Sequence, residues 1–221
     1  MPVRTCELES LSCVLVGSFN PAIVHPAWLA RHGLVRDAEA DDATVVVIEP
    51  AVAVFTVGPY SLEVTRERFK VDVPDAGQSS PLLDLVAGVF RVLAETPIKH
   101  FGINRHMHFR MQSVDEWHRV GHRLAPKEIY SGLLESPGTQ SLVIWGTRAG
   151  SRAARVQMQI EPSVRVSPGV YVGTNAHFEA IGEETTNDRV VLLQEEWEGT
   201  QRFAREAAEE ILVRASKEAA G

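Results

Sequence analysis

The chain has 221 residues, 44% of them hydrophobic, and a formal net charge of −7 at pH 7. This length suffices to bury a core in one large domain or two small ones. The net negative charge argues against a protein that coats nucleic acid, although it does not exclude a local basic surface. Cys6 and Cys13 lack a disulfide framework, Glu7 and Glu9 stand where a signal peptide is basic, and no apolar stretch approaches the roughly 20 residues of a membrane span. We expect a cytoplasmic protein with no membrane partner.

The first half of the chain predicts a strand, a short helix and a strand meander. Residues 12–19 are apolar and rich in β-branched side chains, which predicts a strand with much of its surface buried. Pro26 suits the first turn of a short helix that Gly33 ends. Between residues 44 and 73, four strand-like runs are separated by proline, glycine and charged residues, and this pattern predicts an antiparallel meander.

A long helix closes the first half. Ser80 and Pro81 suit its cap and its first position, and Thr96-Pro97 ends it. Its apolar residues recur with helical spacing, which predicts a single buried stripe made of Leu82, Leu85, Val86, Val89, Phe90 and Leu93.

The second half opens on a stretch, Lys99–Lys127, that carries five of the eight histidines and predicts a strand followed by a helix. On the strand the apolar residues are mostly odd-numbered, so the even-numbered polar residues face the other way. On the helix, Ser113 and Glu116 predict a capping box. The predicted buried stripe of this helix consists of Val114, Trp117, Gly121 and Leu124.

The remaining residues predict a loop, a second set of strands and a terminal helix. Residues 126–140 are rich in proline, glycine and serine and predict the loop. Strand-like runs follow at residues 141–147, 154–162, 163–167 and 169–180. Asn187-Asp188 predicts a turn, residues 190–194 a short strand, and Thr200 the cap of a helix over 201–217.

Both halves contain the same order of elements, which predicts an α+β fold with an internal duplication. The repeated unit is strand, helix, three or four strands and helix, with repeats at 1–97 and 98–221 that form one compact unit. Residues 48–54 (IEPAVAV) and 160–166 (IEPSVRV) agree at five of seven positions. Because the helices must cover a sheet face, we expect a curved antiparallel sheet with helices on one face, a topology that resembles the TATA-binding-protein-like saddle folds.

Alternation along the predicted strands sends a set of polar residues to a common sheet face. These candidate binding residues are Asn104, His106, His108, Arg110, Gln112, Gln157, Gln159, Tyr171, Asn175 and His177. Their donors, acceptors and partial positive charge suit a protein partner or an anionic ligand. The alternative is a merely solvated face, which antiparallel sheets commonly have.

Two histidine pairs have the spacing of metal ligands. His106 and His108 share a strand face, and His118 and His122 share a helix face. The predicted helix packs on the core side of the sheet, so we expect the two pairs on opposite sides of the layer. A four-histidine site is therefore not expected, whereas a site of His106 and His108 completed by other strands stays open.

Catalytic signatures are absent from the sequence. It contains no Gly-rich phosphate loop and no GxGxxG, HExxH, GxSxG or CxxC motif. Cys13 lies in an apolar strand, where burial makes a thiol inert. We predict no catalytic residues, no bound metal and no cofactor.

Four segments resemble a group of uncharacterised, sporadically distributed bacterial proteins of similar length. They are GSFNPAIVHPAW (17–28), GINRHMHF (102–109), WHRVGHRLAPKE (117–128) and GVYVGTNAHFE (169–179). The resemblance implies a bacterial, single-chain, cytoplasmic protein, and it carries over no catalytic residues.

Three functions are compatible with these patterns. The first is a non-catalytic binding or adaptor protein that holds a protein partner or another copy of itself on the polar face. The second is nucleic-acid binding through Lys99, Arg105, Arg110 and the His106/His108 face. The third is a metal-dependent hydrolase built on His106 and His108.

Overall fold

The computed structural model describes residues 5–148 and 154–217. Within these residues, nine strands form a single antiparallel sheet that five α-helices accompany. The strands are β1 (Cys6–Gly17), β2 (Thr44–Glu49), β3 (Val52–Val57), β4 (Tyr60–Thr65), β5 (Arg68–Val73), β6 (Ile98–Arg110), β7 (Leu142–Arg148), β8 (Ala154–Pro162) and β9 (Gly169–Glu179). The helices are α1 (Pro26–Arg31), α2 (Asp37–Asp41), α3 (Ser79–Val92), α4 (Val114–Leu124) and α5 (Thr186–Ser216).

The two longest strands, β1 and β6, pair in the middle of the sheet. The strand order is β2-β3-β4-β5-β1-β6-β9-β8-β7, so the strands of residues 1–97 extend to one side of this pair and those of residues 98–221 to the other. The predicted α+β class and the curved antiparallel sheet are confirmed. The predicted boundary at residue 97 falls between α3 and β6, and both segments contribute strands to the same sheet.

One face of the sheet, which we call the inner face, carries the core. Helices α3, α4 and α5 pack on it. Its side chains come from alternate positions of each strand because successive residues of a strand point to opposite faces. Among them are Leu11, Cys13, Leu15, Phe69, Val71, Phe101, Ile103, Val172 and Phe178, all at most 1% exposed.

Helix α5 runs along the inner face beside both α3 and α4. The Nε1 atom of Trp197 donates a hydrogen bond to the Ser79 Oγ atom at 2.9 Å, which ties α5 to α3. The buried side of α5 repeats every three or four residues, through Val190, Leu193, Trp197, Gln201, Ala204, Ala208 and Leu212. No helix in the described part of the chain is both long and apolar enough to cross a membrane.

The start of α5 corrects three predictions. The turn at Asn187-Asp188, the strand over 190–194 and the cap at Thr200 are wrong, because one continuous helix includes all of these residues. Thr185 is the true cap: its Oγ1 atom accepts from the Asp188 backbone N at 3.2 Å, and Asp188 Oδ2 accepts from the Thr185 backbone N at 2.9 Å. Asparagine and aspartate favour turns and helix starts alike, which explains the error.

The predicted strand at residues 163–167 is also wrong. These residues form the loop between β8 and β9. Ser163 Oγ accepts hydrogen bonds from the backbone N atoms of Arg165 and Val166, at 3.2 and 2.9 Å. Such local side-chain bonds compete with a strand ladder, so the loop forms in spite of its β-branched residues.

Helix α4 is capped by Ser113 as predicted, but its buried stripe differs. Ser113 Oγ accepts from the Glu116 backbone N at 3.1 Å. Val120 and Glu116 are the buried residues of the helix, whereas Val114 is 54% exposed and Trp117 is half-buried. The stripe is therefore rotated by about one residue from the predicted one.

The strand order bears on the predicted duplication. Outward from the β1–β6 pair, β5, β4 and β3 correspond to β9, β8 and β7. The similar segments 48–54 and 160–166 do not correspond in this order, because the first spans the β2–β3 turn and the second the end of β8 and the loop after it. The seven-residue match therefore lends no support to a duplication, which stays a prediction.

We expect Thr185→Ala to lower the free energy of unfolding by about 1 kcal/mol, the usual cost of losing an N-cap hydroxyl. Thr185→Ser keeps the hydroxyl and should cost clearly less. Urea unfolding followed by far-ultraviolet circular dichroism measures both variants. Equal losses in the two variants would show that the capping bond contributes nothing.

Candidate functional site

We call the face of the sheet opposite the helices the outer face. Among the described residues, side chains of the strands line it. A row of cross-strand neighbours runs over five strands in register: Ser12 on β1, Asn104 on β6, Asn175 on β9, Gln157 on β8 and Trp145 on β7. Residues that oppose one another in paired strands share a face, so the register brings these side chains together.

All of the predicted binding residues except Gln112 lie on the outer face. Strand β6 ends at Arg110, and Gln112 follows it in the connection to α4. The Gln112 backbone N donates a hydrogen bond to Glu116 Oε2 at 2.7 Å. Alternation therefore does not assign Gln112 to the outer face, because it applies only as far as the strand extends, and a role for Gln112 in binding stays a prediction.

An aromatic cluster occupies the outer face where β6 meets β9. The Tyr171 hydroxyl oxygen and the His106 Nδ1 atom share a hydrogen bond at 2.7 Å, and the two rings lie within 12° of parallel. Gly173, the cross-strand partner of His106, leaves room for the tyrosine ring, since a Cβ there would lie 2.3 Å from its hydroxyl. The ring of His108 is 5.1 Å from that of Tyr171 and completes the cluster.

A pair of asparagines lies beside this cluster. Asn175 Nδ2 donates to Asn104 Oδ1, and Asn104 Nδ2 donates to the Ser12 carbonyl oxygen at 3.4 Å. Gly102 provides the space for the Asn175 amide, because a Cβ there would lie 2.9 Å from its Nδ2 atom. The two amides are thus held in fixed orientations at the centre of the face.

Ser163 directs the protonation state of His108. The two backbone N–H groups that bond to Ser163 Oγ occupy its lone pairs, so the hydroxyl proton is donated to His108 Nδ1 at 2.8 Å. His108 then carries its own proton on Nε2. Burial lowers the pKa of His108, and the charge of Arg165 lowers it further, which favours the same neutral form.

Two other histidines of the outer face also favour the neutral form. Burial lowers the pKa of His106, an effect that Asp72 opposes and Lys70 reinforces. Burial lowers the pKa of His177 as well, and His100, whose ring is 5.1 Å away, adds to the shift. Near neutral pH these three histidines are therefore uncharged hydrogen-bonding groups and not cations.

The basic residues of the nucleic-acid hypothesis do not share one surface. Arg105 points to the inner side, where its Nε atom donates to Glu9 Oε1 at 2.6 Å and its Nη1 atom to the Gln201 carbonyl oxygen of α5 at 3.0 Å. Grouping Arg105 with the outer face is therefore wrong. Arg110 lies on the outer face but forms a two-point ion pair with Glu7. Lys99 is exposed at the start of β6.

Further cations of the outer face also have carboxylate partners. Arg68 pairs with Glu63, and Lys70 Nζ lies 2.9 Å from Asp72 Oδ2. A nucleic-acid backbone would have to displace these carboxylates before it could release counterions on binding. The positive charge on this face is therefore largely compensated.

The two histidine pairs lie on opposite sides of the sheet. Helix α4 packs on the inner face, so His118 and His122 lie on the helix side, whereas His106 and His108 are on the outer face. Residues 5–148 and 154–217 contain no group of three or more histidine, cysteine or acidic side chains arranged to hold a metal. The Nδ1 atom of each of His106 and His108 forms a hydrogen bond with a hydroxyl group. A hydrolase built on these two histidines stays a prediction.

Alternation along β8 places Arg155 on the outer face, but sequence reasoning missed its neighbour Trp145 on β7. Trp145 is 53% exposed on β7, and the guanidinium carbon of Arg155 lies 4.7 Å from its ring centroid, a cation–π contact. Alternation along β7 indicates the direction of Trp145. Leu142 pairs with the buried Ile160 and therefore faces inward. Trp145 is an odd number of residues away, so it lies on the opposite face.

No protein-family model matches the chain, and no curated protein matches it in sequence. The resemblances to a bacterial family and to the saddle folds therefore stay predictions. The function must be inferred from the geometry of the outer face itself.

We expect Arg105→Ala to lower the free energy of unfolding by about 2 kcal/mol, because it removes charged hydrogen bonds to Glu9 and to the Gln201 carbonyl oxygen, while Glu9 keeps its ion pair with Arg205. The side chains of Arg105 and Glu9 are 14% and 16% exposed. Arg110→Ala is the matched control, since its pair with Glu7 is open to solvent and should contribute little. Chemical denaturation measures both, and similar losses would contradict the distinction.

The outer-face histidines predict a pH dependence of stability. Because folding lowers the pKa of His106, the unfolded chain binds more protons than the folded chain below about pH 6.5. The contribution of His106 to stability is complete above that pH and is lost as the pH falls through the folded-state pKa.

We therefore expect His106→Gln to lose less stability than the wild type between about pH 7.5 and about pH 5. The control is His118→Gln, which alters an exposed histidine of α4 and should follow the wild type. Thermal unfolding at a series of pH values measures all three proteins. Identical pH profiles for wild type and His106→Gln would refute the assignment.

Proposed function

We propose that this chain is a non-catalytic binding or adaptor protein that holds a protein partner, or a second copy of itself, on its outer face. The observation that carries the proposal is the in-register row from Ser12 to Trp145 on a face that α3, α4 and α5 leave uncovered. Ser12 and Asn104 are buried beneath the row, whose half-buried amides, Asn175 and Gln157, and exposed Trp145 ring remain accessible. Amide groups beside an exposed aromatic ring are typical of protein interfaces.

Three side chains of the outer face have the chemistry of binding anchors. Tryptophan, tyrosine and arginine are the residue types that most often dominate the energy of an interface. Trp145 and Arg155 stack on each other at one end of the row, and Tyr171 lies in the aromatic cluster two strands away. A partner that covers β6, β9, β8 and β7 would bury all three anchors.

The internal hydrogen bonds of the face favour binding by limiting its entropic cost. The Tyr171–His106 and Asn175–Asn104 bonds hold these side chains in place before a partner arrives. Groups ordered in advance lose less conformational freedom on association. A merely solvated face would not require such an arrangement.

The charge distribution favours a protein over a nucleic acid. Arg68, Lys70 and Arg110 are paired with carboxylates, and Arg105 is committed to the inner side. Apolar side chains of β1 also reach the outer face, where Leu8 is 39% exposed. A face that has both polar and apolar side chains, and whose cations are paired with carboxylates, is suited to binding another protein.

We expect Trp145→Ala to weaken self-association or partner binding by about 2 kcal/mol, roughly thirtyfold, as loss of an aromatic anchor does. Ile144→Ala is the matched control: Ile144 is the preceding residue of β7 and is 52% exposed, but it points to the inner side. Sedimentation equilibrium of the wild type and both variants measures self-association.

A different protein partner requires a second experiment. A photoreactive amino acid at Gln157, in the middle of the row, should give a discrete crosslinked product in the source cell. The same group at Arg214, exposed on α5, serves as the control position. Trp145→Ala should remove the product and Ile144→Ala should retain it. A strictly monomeric mass together with no product at position 157 would contradict the proposal.

A further inference from the structure

Strand β7 is one of the two edges of the sheet, and its outward side is open. Among the described residues this strand pairs with β8 alone. Val143, Ile144 and Trp145 are 41%, 52% and 53% exposed, so no neighbouring described segment covers the strand. The backbone N–H and C=O groups that point away from β8 therefore form a row that can pair with another strand.

The hydrogen bonds of the sheet show which residues of β7 carry these outward groups. The Ser163 backbone N donates to the Gly169 carbonyl oxygen at 2.9 Å, in register with the pairing of β8 and β9. Because bonding alternates along an antiparallel strand, odd-numbered residues of β8 bond to β9 and even-numbered ones bond to β7. Even-numbered residues of β8 oppose even-numbered residues of β7. The outward groups therefore belong to Val143, Trp145 and Thr147.

The two edges of the sheet differ in how they are protected. Proteins commonly protect an edge strand with a bulge, a charged residue or a proline. The edge strand β2 has a register shift between Val45 and Val47 and ends at Glu49. Strand β7 pairs with β8 in continuous register from Leu142 to Arg148, and residues 142–147 include no charged residue and no proline. The edge at β7 therefore lacks the features that prevent pairing with another strand.

The charge distribution of β7 suits a second copy of the same strand. In a two-fold contact the same surface of both copies meets, so charges on an edge strand come close to like charges. Residues 142–147 carry no charge. Arg148 turns its guanidinium toward α5, where Nη1 donates to Thr200 Oγ1 at 2.7 Å. This self-compatibility favours a second copy over an unrelated strand.

Complete overlap of two antiparallel copies of β7 places the two-fold axis at Trp145, the middle residue of the strand. Trp145 then opposes Trp145, and Val143 of each copy opposes Thr147 of the other. All three residues carry outward backbone groups, so each opposed pair exchanges both of its hydrogen bonds. Aromatic pairs and pairs of β-branched residues across strands are also favourable.

We propose that β7 pairs with β7 of a second copy of this chain, in the antiparallel register centred on Trp145, and that this contact joins the two sheets into one. The polar rows of the two outer faces then meet at their Trp145 ends, and both outer faces stay uncovered. The contact therefore does not depend on what the outer face binds. Because a single pair of strands is a small interface, we expect a dissociation constant of about 100 μM.

Amide hydrogen exchange of the full chain, followed by NMR at protein concentrations of about 20 μM and about 1 mM, tests the contact. The amides of Val143, Trp145 and Thr147 should exchange about fourfold more slowly at the higher concentration, because pairing protects them. The amides of Ile144 and Gly146 bond to β8 and should exchange slowly at both concentrations.

Two results would overturn the proposal. One is exchange of the three odd-numbered amides that is equally fast at both concentrations. The other is association, detected by sedimentation, that leaves these amides unprotected, which would assign self-association to the outer face instead.

A matched pair of variants tests the backbone bonds directly. Val143→Pro removes an outward N–H group, at a type of edge position where proline is tolerated, and should weaken association at least about tenfold. Val143→Ala keeps the N–H group and should stay within about threefold of the wild type. Sedimentation equilibrium measures all three proteins, and equal association of the three would contradict the assignment.

Slow exchange of the Ile144 and Gly146 amides in Val143→Pro shows that β7 still pairs with β8 in this variant. If these amides become fast, Thr147→Pro and Thr147→Ala replace the pair, with the same expected difference.

Discussion

Pairing of β1 with β6 is the contact on which the rest of the structure depends. The two strands pair in continuous register from Leu8 and His108 to Val16 and His100, with a register shift at each end. Each of them pairs on its far side with the strands of its own half of the chain. Cys13 and its cross-strand partner are both buried at the centre of this pair. Burial raises the pKa of the Cys13 thiol far above its ordinary value, so this cysteine is a core residue and not a nucleophile.

Helix α5 covers the inner face of the sheet and leaves the outer face available for binding. Its 31 residues lie against core residues from both halves of the chain, and the inner positions of the strands are used for packing. The neighbouring residues Arg105 and His106 consequently end in different environments. Arg105 forms an ion pair with Glu9 under α5, and His106 stacks on Tyr171 on the outer face, where both rings are half-buried. Because an antiparallel sheet needs only one buried face, the outer face can be polar when the helices cover the inner face.

Sequence periodicity predicted the outer face well on β6, β8 and β9, because side chains alternate with a period of two whichever strands pair. It failed where the local signal fits two structures. Residues 190–194 are a short apolar run that suits a strand or a buried helix segment equally. Gln112 has the same parity as the site residues but lies past the end of β6. That end is set by the helix cap at Ser113 and not by alternation.

The sequence by itself determined the α+β class, the amphipathic helix over α3 and the sets of residues that share a strand face, because these follow from spacing along the chain. The tertiary structure alone decided that β9 lies between β6 and β8. That order places Tyr171 beside His106 and sets Trp145 at the end of the polar row. The pairing of β1 with β6 gives Arg105 its partner Glu9. Which strands become neighbours depends on how the whole chain buries its apolar surface, and no local pattern carries that information.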